Sequence, residues 1–120
     1  MIETKSLARP DERREFPHGH MEIMSLTGMS LGRATFEPGW RWSQDVKPIA
    51  GTDSCMFRHL GYVESGHIHV RMDNGEEVEL GPREAAVIPP GHDAWVIGDE
   101  PCVMWDFSEQ SAGYAKAGRS

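Results

Sequence analysis

Between residues 67 and 80 the chain reads HIHVRMDNGEEVEL, and this stretch leaves the backbone few choices. Ile68, Val70 and Met72 alternate with polar residues, as do Val78 and Leu80 after Asp73-Asn74-Gly75. That is the period-two pattern of two half-buried strands. A two-residue Asn74-Gly75 loop would set Val70 opposite Glu79 and put an apolar residue against a charged one on a single face. A three-residue loop with Gly75 left-handed, forming a bulge, instead pairs Val70 with Val78 and Ile68 with Leu80. The second register is the expected one. Its other face pairs Arg71 with Glu77 and His69 with Glu79, as a wetted surface does. His67 and His69 share that face, so this His-x-His pair is expected to meet solvent rather than a metal.

An isolated hairpin is marginal in water, and the rest of the chain supplies the same grammar. Its 13 glycines and 8 prolines punctuate short apolar runs, and no window keeps apolar residues at helical spacing for three turns. Strands are expected over 21–26, 31–36, 40–43, 55 or 58 to 64, 67–72, 76–80, 85–88, 94–97 and 102–107. Residues 1–20 read as a charged N-terminal arm that is loose or pairs late, 21–110 as a single barrel, and 111–120 as a tail, with a short helical turn around Tyr114. The fold class is all-β and antiparallel.

At 120 residues and 13.4 kDa the chain fits one domain with one core. A net charge of −7 with 12 scattered basic residues argues against a nucleic-acid surface and against an anionic membrane surface. Met1-Ile-Glu-Thr-Lys5 runs into charged residues, and no apolar stretch reaches membrane-span length, so a cytoplasmic location is expected. Cys55 and Cys102 lack CxxC spacing and read as reduced interior residues.

Two further patterns carry chemistry. The first opens at Glu37-Pro38-Gly39-Trp40-Arg41-Trp42 and closes on Gly61-Tyr-Val-Glu-Ser-Gly66; the second runs from Gly81 to Ile88 and ends in Pro89-Pro90-Gly91-His92. Over residues 30–107 these resemble the two motifs of small single-domain bacterial cupins. The resemblance implies a jelly-roll barrel, the double-stranded β-helix, with a small-molecule site in its mouth. It also implies where metal ligands would lie, and there the chain departs from the family: the four positions hold Asp45, Lys47, His59 and Ala94. His92 stands two residues before the last of them. A rival alignment puts Asp53 and Cys55 at the first two positions, and both alignments stay open.

A mononuclear site for Zn, Ni, Mn or Fe needs about three imidazole, carboxylate or thiolate donors and an open position. His59 and His92 are the nitrogen candidates, with Asp45, Asp53 or Cys55 as the third donor. Lys47 argues against metal at its position unless a carboxylate such as Asp45 intervenes. Cys55 and His59 as nucleophile and base would stand roughly 13 Å apart on one continuous strand, which disfavours that pair. Trp40 and Trp42 fall on one face of a strand and offer a flat apolar wall to a ligand, with Arg41 and Lys47 near enough to hold a carboxylate. The expected activity is small-molecule binding at the barrel mouth, with divalent-metal chemistry on a small acidic metabolite as the leading form. A metal-free binding module is the alternative, and a barrel filled by its own side chains the third. A homodimer is expected in each case.

Overall fold

A computed structural model describes residues 1–107; the expected boundary at 111 and the turn around Tyr114 lie outside the described residues. Among the described residues, nine strands form two antiparallel sheets. The larger has the order β1 (Glu12–Phe16), β2 (Gly19–Leu26), β3 (Met29–Phe36), β9 (Cys102–Asp106), β4 (His59–Ser65), β7 (Ala85–Ile88). The smaller has the order β6 (Glu77–Leu80), β5 (His67–Met72), β8 (His92–Ile97). Alternate residues turn inward from both. Met21 and Ile23, Ala34 and Phe36, and Cys102 and Met104 from the large sheet join Ile68, Val70 and Ala94 from the small one in a single buried cluster. This is the jelly-roll arrangement, two sheets sharing one apolar interior.

The β5–β6 hairpin has the expected register, Ile68 with Leu80, His69 with Glu79, Val70 with Val78 and Arg71 with Glu77. Gly75 takes φ 95°, in the region that a side chain avoids. Val78 keeps its inward register position but lies on the edge strand and stays 46% exposed.

Two expectations change. Residues 12–16 of the N-terminal arm form a strand, β1, which pairs along its whole length with β2 of the same chain. Arg14 and Phe16 alternate inward there, so these residues belong to the large sheet. The strand expected over 40–43 is replaced by two short helical turns, α1 (Trp42–Asp45) and α2 (Lys47–Ala50). Trp40 and Trp42 are both buried, which imitates a strand, but Asp45 decides the backbone: its carboxylate accepts the Arg41 N–H at 2.9 Å while its own N–H bonds the Arg41 carbonyl. Asp93 fixes the same turn by accepting the Ser43 N–H at 3.1 Å. Pro48 suits the first turn of α2, and Gly51 ends it at φ 76°.

Candidate functional site

The cavity between the sheets is walled mainly by Met21, Phe36, Trp40, Trp42, Val70 and Met104, and counts about 530 Å3 of non-atom space out to its open mouth. Polar groups collect where the end of β9, the start of β4 and the start of β8 converge.

His92 reaches this point through the Pro89-Pro90-Gly91 turn. Gly91 takes φ 93° and redirects the chain, and the His92 Nδ1–H can then donate back across the turn to the Pro89 carbonyl at 2.8 Å. An isolated β-bridge sets Cys55 opposite His92: the Cys55 N–H bonds the His92 carbonyl at 2.7 Å, and the Cys55 carbonyl accepts from Gly91 at 2.7 Å. Cys55 is wholly buried. Residues 56–58 then leave strand geometry. β4 restarts at His59, opposite Ile88 at the end of β7. The bend overturns the argument from a continuous strand: the Cys55 Sγ and the His59 Nε2 lie 3.7 Å apart.

Behind His59 stands Asp106, whose carboxylate accepts the Nδ1–H at 2.7 Å. Both imidazoles therefore have Nδ1 held by an oxygen acceptor. In the neutral ring, an Nδ1 protonated in that way leaves Nε2 as the nitrogen with the lone pair. One donor atom each from Cys55, His59 and His92 lies within 4.8 Å of the others. The two rings meet nearly edge to face, at 5.2 Å between centroids.

The electrostatics follow from this packing. Burial alone would push the Cys55 thiol up, but hydrogen bonds and charge from His59 and His92 outweigh it and bring it down to about 6. For His59 burial works downward, and it is outweighed by the hydrogen bond to Asp106 and by Cys55, so the imidazole rises to about 9. Cys102 has no such neighbours, and burial pushes its thiol up to about 12. It is an interior thiol, as its spacing implied.

The remaining candidates are distributed differently. Trp40 and Trp42 line the cavity, although from the first residue of α1 and from two residues before it rather than from a strand. Asp45 is buried but spent on the fold, bonding the His18 Nδ1 at 3.0 Å as well as the Arg41 N–H. Lys47 lies on the surface, 3.9 Å from a fully exposed Asp53. Neither is among the lining residues. Arg41 also faces out, stacked 4.2 Å over the Trp95 ring and paired with Asp93 at 3.3 Å. The sequence reading missed Asp106. Its signal was present, because Cys102, Met104 and Asp106 continue one inward stripe of β9 and a carboxylate on such a stripe needs a partner.

No protein-family model matches the chain, and no curated protein matches its sequence. Solved structures do. The polyketide cyclase RemF from Streptomyces resistomycificus superposes with a TM-score of 0.63 at 18% identity, covering 90% of this chain and 79% of that one. KdgF from Halomonas sp. gives a TM-score of 0.55 at 22% identity, covering 78% and 82%. The EutQ protein of Clostridium difficile gives 0.52 at 13%, covering 76% and 62%. All three are cupin-fold proteins. The chain has the cupin fold. What its cupin interior offers in place of the usual ligand set is one thiol and two oriented imidazoles, backed by a carboxylate. No helix among the described residues is long and apolar enough to cross a membrane.

Proposed function

We propose that this cupin binds a small molecule in the mouth of its cavity at a divalent transition metal held by Cys55, His59 and His92. The observation that carries the reading is the shared orientation of the two imidazoles. Each gives its Nδ1–H to an oxygen acceptor, Asp106 Oδ2 or the Pro89 carbonyl, and so presents Nε2 as a donor beside the Cys55 sulfur. Metal-ligating histidines are oriented in this way as a rule. One thiolate and two imidazoles suit zinc, iron or nickel better than manganese. Three protein donors also leave a coordination position for a ligand, as catalytic sites do.

A metal bound there would act as a Lewis acid on a ligand oxygen. The chain's own residues do the rest. Asp106 fixes the His59 tautomer and ring orientation, and the Pro89 carbonyl does the same for His92. Trp40, Trp42 and Phe36 pack against the body of the ligand and keep water from it. A metal-free binding module is the second reading, favoured by the predominantly apolar lining of the cavity. In that form the His59 imidazolium lines the cavity's polar end, paired with the thiolate of Cys55, which is buried outside the lining with its Sγ 3.7 Å from the His59 Nε2.

Cobalt(II) titration of the untagged chain separates the two. Uptake of about one equivalent, with a near-ultraviolet thiolate-to-cobalt band, is expected for the three-donor site. Cys55→Ser should lose that band. Failure of the wild-type chain to take up cobalt, or an undiminished band in Cys55→Ser, would falsify the metal reading.

A further inference from the structure

The cavity's charge pattern says what kind of molecule it accepts, an inference that rests on the cavity being the ligand site proposed above. Apart from the polar end formed by His59, His92 and Asp106, the lining is apolar, and among the described residues no Lys or Arg reaches it. The two cations that the sequence offered to a carboxylate are engaged outside, Arg41 over Trp95 and Lys47 beside Asp53. The Trp40 and Trp42 indole N–H groups lack an acceptor among the described residues. Each nitrogen exposes less than 1 Å2, so neither donor is offered to the cavity space.

We propose that the cavity selects an uncharged, ring-sized molecule carrying a phenolic or enolic hydroxyl, and rejects the corresponding carboxylates. An anion entering this space leaves water for apolar walls and gains no Lys or Arg, and the His59 ring that it meets is already paired with the Asp106 carboxylate at 2.7 Å, so its transfer is strongly unfavourable. At the polar end it meets the Asp106 carboxylate, a like charge in a poorly screened position. A divalent metal held there would have part of its charge offset by the Cys55 thiolate and by the nearby Asp106 carboxylate. The chain's net charge of −7 opposes the approach of an anion as well. A hydroxyl meets none of these penalties. Its oxygen can face the donor cluster while its proton goes to the carboxylate, which can accept more than one hydrogen bond. The indole and phenyl rings of Trp40, Trp42 and Phe36 suit a flat partner.

The test is a matched pair of probes, 4-methylphenol and 4-methylbenzoate, alike in ring and methyl group and differing in charge at neutral pH. Calorimetric titration is run on the metal-free and the zinc-loaded chain. The phenol should bind at least roughly tenfold more tightly than the benzoate to the metal-free chain, the zinc-loaded chain showing how far a metal narrows that ratio. Ala34→Leu and Val70→Phe, which fill the cavity from opposite sheets, should each abolish phenol binding. Equal or tighter benzoate binding to the metal-free chain, no phenol binding to it, or phenol binding that survives both fillings overturns the proposal. Selectivity persisting in a chain that takes up no metal would sink the metal reading alone; metal uptake without selectivity would sink this one alone.

Discussion

Two pairs of histidines divide the molecule. His67 and His69 sit two residues apart on β5, in the spacing that a metal-site search would choose first, and they face outward. His69 bonds Glu77 at 2.7 Å and stacks on Trp95 at 4.6 Å; it is fully employed as surface packing. His59 and His92 lie 33 positions apart in sequence on different sheets, yet their rings touch and both flank Cys55. Sheet register explains the contrast. Period-two spacing puts neighbours on a common face without saying which face, whereas the β-bridge between Cys55 and His92 gathers distant donors on the inner one.

The largest effect expected is on metal uptake. His59→Ala and His92→Ala should each abolish stoichiometric cobalt or zinc, measured by elemental analysis of the dialysed chain, while His67→Ala and His69→Ala should leave it at the wild-type level. An outer-pair variant that loses metal, or an inner-pair variant that keeps it, breaks the comparison. Smaller and more informative is Asp106→Asn, which keeps the shape of the side chain behind His59 but removes the charge that orients the ring. Removing such a partner costs about 10–100-fold in metal affinity, read here by competition with a chromophoric chelator. An unchanged affinity would make Asp106 a structural carboxylate only.

The sequence could be read where one local rule settled the outcome. The β5–β6 register follows from a turn that needs a left-handed glycine and from alternation on both sides of it. The outward face of His69 follows from that register. Reading failed where the outcome depends on contacts across the sheets. Trp40 and Trp42 alternate like strand residues, but two carboxylates, Asp45 and Asp93, capture backbone N–H groups and wind the segment into a turn. Cys55 and His59 looked too far apart because their separation was measured along a strand that is interrupted at residues 56–58. The donor set was thus visible as an inventory of residue types. Its assembly was not, because a bridge from Cys55 to His92 and a bend after Cys55 have no marker in local composition.

The smallest predicted effect is a near absence of one, and it distinguishes a coupled inner pair from two independent groups. His59 is raised from 6.5 to about 9, so its contribution to stability is fully present below 6.5 and is lost as pH rises through about 9. Cys55 is lowered from 9.0 to about 6, so its contribution is present above 9.0 and is lost as pH falls through about 6. The two slopes oppose each other. Between 6.5 and 9 the folded pair has given up one proton, from sulfur, and the unfolded pair has also given up one, from imidazole. Equal proton counts mean no pH dependence from this pair across that interval. Cys55→Ser removes the compensation. Asp106 still holds His59 high, so the variant's metal-free stability should decline as pH rises from 6.5 while the wild-type curve lacks that decline. Urea midpoints measured in chelator across this range make the comparison, and every group outside the pair contributes equally to both curves. Parallel curves would mean that the thiol and the imidazole titrate as strangers, and the inner pair would then differ from the outer one in burial alone.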